Sequence, residues 1–266
     1  AAAAGEYGVL EVDASFKVLG FEEKPARPKT IPGSGDCLAS MGIYIFDWTK
    51  LLEVLGRHTD FGRDVIPAMI DAGEPVYAYD FAVRNVIAER EYQARSGYRQ
   101  RDLVPCATDS AYWRDVGTLD AFWQANLDLV SIAPRFNLYG ELWPIYSSPM
   151  HYPPAKFVHD EPGRTGAAYN SILADGVIVS GATIRNSLLG PGIYVNSFAQ
   201  IDHSYLMGSN LAGGRLSETI IGRGCRVRNA LVDKSVRLSE GTIIGYDRAE
   251  DEARGLTTAD IAGTDD

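Results

Sequence analysis

Three short segments carry side-chain types that could do chemistry. An apolar run, Phe16–Phe21, leads into Glu22-Glu23-Lys24-Pro25. Proline cannot donate to a strand ladder, so it stops the pairing and holds the Lys24 ammonium at a sheet edge. An ammonium placed there can meet a phosphate; a solvated strand end is the other reading. Trp113-Arg114-Asp115-Val116-Gly117 sets a carboxylate between an aromatic ring and a helix start near Thr118. That carboxylate can bind Mg2+, or it can simply complement the helix dipole. The third segment is Ile201-Asp202-His203-Ser204, where His203 could act as a general base or stand as an exposed polar corner.

The elements that position these groups follow from hydrophobic spacing. Tyr7–Val12 and Phe16–Phe21 flank Asp13-Ala14-Ser15, which predicts a hairpin. Leu38–Phe46 reads as a buried strand. Asp47 can cap a helix that buries Trp48, Leu51, Leu52 and Leu55, spaced i, i+3, i+4, i+7. A second helix is expected from its N-cap Asp64 to Asp71, with Val65, Ile66, Met69 and Ile70 on one face and Gly73 as its stop. Pro67 is tolerable because it falls in the first turn. A strand follows at Val76–Phe81, then a charged stretch, 82–110, with a helix around Val86–Gln93. The third helix, Leu119–Val130, buries Leu119, Phe122, Trp123 and Leu127. Strands mixed with amphipathic helices indicate a layered α/β domain over residues 1–130. Residues 131–165, rich in proline and aromatics, form a connector.

From residue 172 the period becomes six. Ile172, Ile178 and Ile184 are followed by Leu189, Val195 and Ile201, then Leu206, Ile221 and Val227, then Val232, Leu238 and Ile244. A six-residue period suits neither a helix nor an alternating strand. It suits a triangular parallel β-helix, with one aliphatic side chain pointing inward on each side. The late arrival of Val232 implies a nine-residue loop within Met207–Ser217. Hexapeptide repeats of this type predict the left-handed form, here over residues 166–248, with a tail at 249–266.

Composition narrows the function. With 25 Lys+Arg against 35 Asp+Glu the net charge is −10, which argues against a nucleic-acid partner. Cys37, Cys106 and Cys225 are widely spaced and resemble reduced thiols. No apolar run is long enough for a membrane span, so a cytoplasmic protein is expected. Ala1–Ala4, without a methionine, open almost directly onto a strand, which reads as a partial chain.

Taken in order, Phe21–Pro25 (FEEKP), Leu38–Tyr44 (LASMGIY), Asp60–Pro67 (DFGRDVIP) and Tyr112–Thr118 (YWRDVGT) resemble the bacterial and plant glucose-1-phosphate adenylyltransferases. Ala125–Leu129 (ANLDL), Pro153–Val158 (PPAKFV) and Asn196–Asp202 (NSFAQID) continue the likeness over most of the chain. FEEKP is shared by many sugar-nucleotide pyrophosphorylases, whereas LASMGIY, YWRDVGT and PPAKFV are narrower. The resemblance implies a partial Rossmann-like nucleotidyltransferase domain followed by a left-handed parallel β-helix. It implies synthesis of ADP-glucose and pyrophosphate from ATP and glucose 1-phosphate with Mg2+, for glycogen or starch, in a homotetramer. Lys24 would contact the sugar phosphate and Glu23 the sugar hydroxyls. Ser40 and Tyr44 would line the sugar pocket, Asp60, Phe61 and Trp113 would close it, and Asp115 would bind Mg2+. Gly8 would let backbone approach the sugar. Arg223, Arg226 and Arg228 could help bind phosphorylated effectors, or be solvated corner residues.

The chain also departs from the pattern. Nothing in it matches the family's glycine-rich triphosphate loop or its second Mg2+-binding aspartate. Residues 82–110 look longer than the usual connection, and the final strand is not found. The 266 residues alone are therefore expected to be inactive. Two alternatives remain: a non-catalytic regulatory subunit of the same family, and a hexapeptide acyltransferase using His203.

Overall fold

The computed structural model describes residues 5, 7–31, 33–56, 58–95, 98–106, 111–147, 151–212 and 215–256. Ala1–Ala4 and the end of the expected tail, 257–266, lie outside the described residues. The chain divides into two compact units, residues 1–86 and 87–266.

In the first unit β1 (Gly8–Val12) and β2 (Val18–Glu23) form the expected antiparallel hairpin, and β3 (Leu38–Ala39) pairs on the other edge of β1. The Asp13 carboxylate accepts hydrogen bonds from the Ser15 hydroxyl, the Ser15 N–H and the Lys17 N–H. These bonds, the Ser15 hydroxyl first, hold its carboxyl below the usual carboxylate range. The expected strand Leu38–Phe46 is corrected to two residues. Gly42 turns the chain at φ 68°, and Ile45 beyond it is 99% exposed.

Helix α1 (Trp48–Leu55) forms under the predicted cap, with the Asp47 carboxylate accepting from the Thr49 and Lys50 N–H groups. Its apolar stripe is nevertheless not buried, and Trp48 is 69% exposed. The buried side chains described in this unit are Val9, Val18, Pro25, Val65, Ile66 and Met69, and none belongs to α1. The second cap is also displaced. Asp60, not Asp64, accepts from the Arg63 N–H (2.8 Å) and opens a π-helical turn, Phe61–Val65. Asp64 instead accepts from the Thr59 and Asp60 N–H groups, closing the turn from within. Helix α2 (Ile66–Asp71) follows, with Pro67 in its first turn, and Gly73 ends it at φ 75°. The expected strand Val76–Phe81 shrinks to a bridge between Lys17 and Tyr77, because Asp80 caps α3 (Phe81–Arg84).

The second unit begins with β4 (Ile87–Arg95) and β5 (Tyr98–Cys106), paired antiparallel. This replaces the helix expected around Val86–Gln93. The segment has no apolar stripe at helical spacing, and cross-strand pairing satisfies its backbone instead. Helix α4 (Leu119–Asp128) is capped by Thr118, whose hydroxyl accepts from the Ala121 N–H (3.1 Å). Trp123 and Leu127 are buried as expected, whereas Leu119 is exposed.

The repeats fold into three stacked parallel sheets, as a parallel β-helix requires. Ile184, Leu189, Val195, Ile201, Leu206, Ile221 and Val227 fill the interior with almost no exposure. The first coil corrects the register. Leu173 pairs with Leu189, and Val179 pairs with Val195, so these two take the inward places assigned to Ile172 and Ile178. That coil is one residue tighter than the regular spacing assumes. The stack also starts earlier, since Lys156–Val158 already pairs with Ile178–Ser180. Within the predicted loop, Asn210–Ala212 and Arg215–Ser217 form a small antiparallel ribbon.

Serines bridge the coils at one corner. The buried Ser204 hydroxyl donates to the Asp202 carbonyl (2.7 Å) and accepts from the Ala230 N–H of the next coil (3.2 Å). Ser187 repeats the arrangement one coil earlier, accepting from the Ser204 N–H (3.1 Å). Beside them Asn186, His203 and Asn229 all adopt a left-handed backbone, with φ of 47°, 47° and 48°. At the far end lies α5 (Arg248–Ala253). Its buried Asp251 accepts from the Gly245 N–H (2.7 Å) and from the Arg254 guanidinium (2.6 Å). No described helix is long and apolar enough to cross a membrane.

Candidate active site

The first unit gathers most of the predicted residues around the carboxylate of Glu23. In the β1–β2 register Gly8 lies opposite Glu23. A Cβ on Gly8 would overlap the Phe21 ring and come within 2.9 Å of Glu23 Oε2. Gly62, in the π-helical turn, faces the same oxygen, and a Cβ there would lie 3.0 Å from it. The Glu23 carboxylate therefore occupies a notch between two glycines, floored by Phe21. Only residues lacking Cβ leave that space open.

Aromatic surface adjoins the notch. Phe61, next to Gly62, stacks on Tyr44 with ring centroids 5.5 Å apart, and Phe46 packs on Phe61 at the same separation. Ser40 is fixed at the end of β3 by its N–H, which donates to the Gly8 carbonyl (2.7 Å), and its hydroxyl meets the Tyr44 hydroxyl at 3.2 Å. Asp60 serves here as the cap of the turn that presents Phe61 and Gly62. A carboxylate and hydroxyls beside aromatic faces suit a ligand that carries many hydroxyl groups.

Lys24 follows β2 in the left-handed region, at φ 49°, immediately before Pro25. That conformation is costly for a residue with a Cβ, and it turns the side chain out of the alternation of the strand. Phe21 and Gly62 lie within the motifs FEEKP and DFGRDVIP, but sequence reasoning gave them no role. Facing glycines are legible only once the two segments are seen to meet.

Trp113 and Asp115 belong to the second unit. Their segment is held to α4 by Arg114, whose guanidinium pairs with Asp128 and donates to the Gln124 side chain (2.7 Å). Trp113 and Asp115 are exposed. Among the described residues no hydrogen bond or ion pair is found to the carboxylates of Glu23 and Asp115 or to the Lys24 ammonium. Nor do the described residues contain a group of three or more His, Cys, Asp or Glu that could hold a metal. Mg2+ commonly keeps several waters and takes one or two carboxylates together with substrate phosphates. A lone exposed Asp115 fits an ion shared with substrate rather than one caged by protein.

His203 is committed to packing. Its ring meets the buried Trp123 edge-on, with centroids 5.0 Å apart. Of the arginines singled out, Arg223 lies over Phe198 and Arg226 over Tyr246, each at 4.3 Å. Arg228 shares the outward face of its strand with Arg226.

Similarity to known families divides the chain later than the two compact units do. A family described as Nucleotidyl transferase matches residues 1–131, and one described as GlmU-like, C-terminal hexapeptide matches 153–261. A glucose-1-phosphate adenylyltransferase from a Shewanella species is 40% identical over 98% of the chain, which covers 56% of that relative. Glucose-1-phosphate adenylyltransferase 2 of Pseudoalteromonas atlantica is 41% identical over 96% of the chain, covering 55% of its own length. The chain thus spans about half the length of the curated relatives it matches. A nucleotidyltransferase segment joined to hexapeptide repeats, it is a homologue of the bacterial glucose-1-phosphate adenylyltransferases.

Proposed function

We propose that this chain supplies the sugar-phosphate side of a glucose-1-phosphate adenylyltransferase, serving ADP-glucose synthesis for glycogen or a related glucan in the cytoplasm. The observation that carries this reading is the notch formed by Gly8, Gly62 and Phe21 around Glu23, with the Tyr44–Phe61 stack at its side. In it Glu23, Ser40 and Tyr44 would hydrogen-bond the sugar hydroxyls of glucose 1-phosphate, while Phe61 would cover the ring. Asp60 would act by holding the turn that carries Phe61.

The reaction joins a phosphate oxygen of glucose 1-phosphate to the α-phosphorus of ATP and releases pyrophosphate. Two anions must approach, so positioning and charge neutralisation dominate. Lys24 would hold the sugar phosphate, and Asp115 would hold Mg2+. When bound, the cation supplies further neutralisation of the reacting phosphates. The retention of Lys24, Ser40 and Asp115 supports a catalytic over a regulatory subunit, and the packing of His203 on Trp123 speaks against acyl transfer. The stacked Arg223 and Arg226, with Arg228 beside them, would meet phosphorylated effectors in a homotetramer.

The test is Lys24→Gln in the full-length enzyme. A charge-assisted hydrogen bond is worth about 1.5–3 kcal/mol. At about 1.4 kcal/mol per factor of ten, the affinity for glucose 1-phosphate should fall on the order of 10- to 150-fold. The apparent affinity for ATP should change little. A KM for glucose 1-phosphate within about a factor of two of the parent would end the role given to Lys24.

A further inference from the structure

We infer that His203 and Arg114 are positioning residues for Asp115, linked to each other through α4; the inference rests on reading Asp115 as the cation carboxylate. The line of contacts starts in the β-helix. His203 sits at a coil corner, its N–H donating to the Arg185 carbonyl (3.1 Å) and its φ matching those of Asn186 and Asn229. Asparagine is well suited to that left-handed corner, because its short polar side chain tolerates the conformation. Histidine adds a ring, which meets Trp123 edge-on at 5.0 Å.

Trp123 is 4% exposed, and its indole N–H has no hydrogen-bond partner among the described residues. Such a group normally finds one when buried. Packing therefore seats the middle of α4 on this corner. A second contact lies beside it, where Phe122 meets Tyr205 at 5.7 Å. Burial pushes the Tyr205 hydroxyl above its usual pKa, as a covered phenol requires.

From α4 the connection reaches Asp115 on both sides. Thr118 caps the helix three residues after Asp115, and Arg114 immediately before it reaches Gln124 and Asp128. The exposed carboxylate is thus carried on a short segment with both ends tied to one helix. That helix is seated on the corner of a rigid stack. A carboxylate sharing an ion with substrate must be held closely, and residues behind a ligand commonly change metal affinity by about 10- to 100-fold.

The experiment compares His203→Asn, His203→Phe, Arg114→Met and Asp115→Asn in the enzyme. His203→Asn removes the ring but keeps a residue that its corner tolerates, so the coil survives. Two readouts are needed: hydrogen exchange of the α4 amides, and Mn2+ affinity by electron paramagnetic resonance with ADP-glucose present. His203→Asn should speed exchange in α4 and weaken Mn2+ about tenfold. His203→Phe, which restores a ring, should recover both. Arg114→Met should weaken Mn2+ similarly while leaving exchange in the β-helix unchanged. Because the two act along one line, the double variant should be no weaker than the weaker single variant, a failure of additivity. The inference is overturned if His203→Asn frees α4 yet leaves Mn2+ affinity within about a factor of two. Asp115→Asn separates the two claims. If it leaves Mn2+ affinity intact, the cation reading fails and this inference with it. If it abolishes binding while the other variants have no effect, only this inference fails.

Discussion

Apolar side chains are used differently in the two halves of the molecule. In the β-helix the interior is filled by aliphatic residues stacked coil on coil, with almost no exposure. In the first unit the buried set is small, while Ile43, Ile45, Trp48 and Leu52 face outward. The same contrast appears in the backbone. The β-helix repeats a handful of conformations, whereas the first unit places a left-handed lysine, a π-helical turn and a two-residue strand around one carboxylate. Regular stacking gives stability that adds from coil to coil. Irregular backbone gives a notch that no repeat could form, and irregular conformations of this kind often cluster at functional sites.

Substitutions can break or sharpen this contrast. The largest effect is expected for Ile201→Asp, which puts an unpaired carboxylate into the closed interior of the stack. Soluble protein should be lost, and normal yield with unchanged melting would show that the interior is not continuous at that coil. Ser204→Ala comes next. It strips the Ala230 N–H of its acceptor in a buried corner, at a cost of about 1–3 kcal/mol. Denaturant unfolding followed through the β-helix should report that loss, and no change would mean that the serine bridge is dispensable. The smallest effect is expected for Trp48→Ser in the first unit. A tryptophan on an exposed helix face should change stability by no more than about 0.5 kcal/mol. A large destabilisation would mean that the α1 stripe is held by the core after all.

Legibility followed the same divide. Six-residue spacing exposed the β-helix because the same inward position recurs, so most interior residues could be named from the sequence. It misplaced Ile172 and Ile178 because the first coil is tighter, and a fixed period carries no information about one shortened turn. In the first unit local signals succeeded where the cause was local, as with the Asp13 turn and the Asp47 cap. They failed where burial decides, as at Ile45 and Trp48, since amphipathic spacing states which side chains share a face and not what covers it. The motifs pointed to Glu23, Ser40, Tyr44 and Phe61. That Gly8 and Gly62 face one another across Glu23 depends on two distant segments meeting, which no spacing along the chain encodes.

The hydrogen bond from the Gly245 N–H to Asp251 shows how a side chain can satisfy the edge of a stacked coil. Parallel coils have no built-in end: each leaves N–H groups directed at the coil to follow, as Arg226 does toward Thr242 (2.8 Å). Ile243 lies opposite Arg226 in the ladder, so Gly245, two residues on, directs its N–H away from the stack. The Asp251 carboxylate occupies the place a carbonyl of another coil would take. Arg254 balances its charge from the same helix. A single acidic side chain thereby takes the acceptor role that a backbone carbonyl plays between coils, and it satisfies one N–H of an edge that would otherwise be open for pairing.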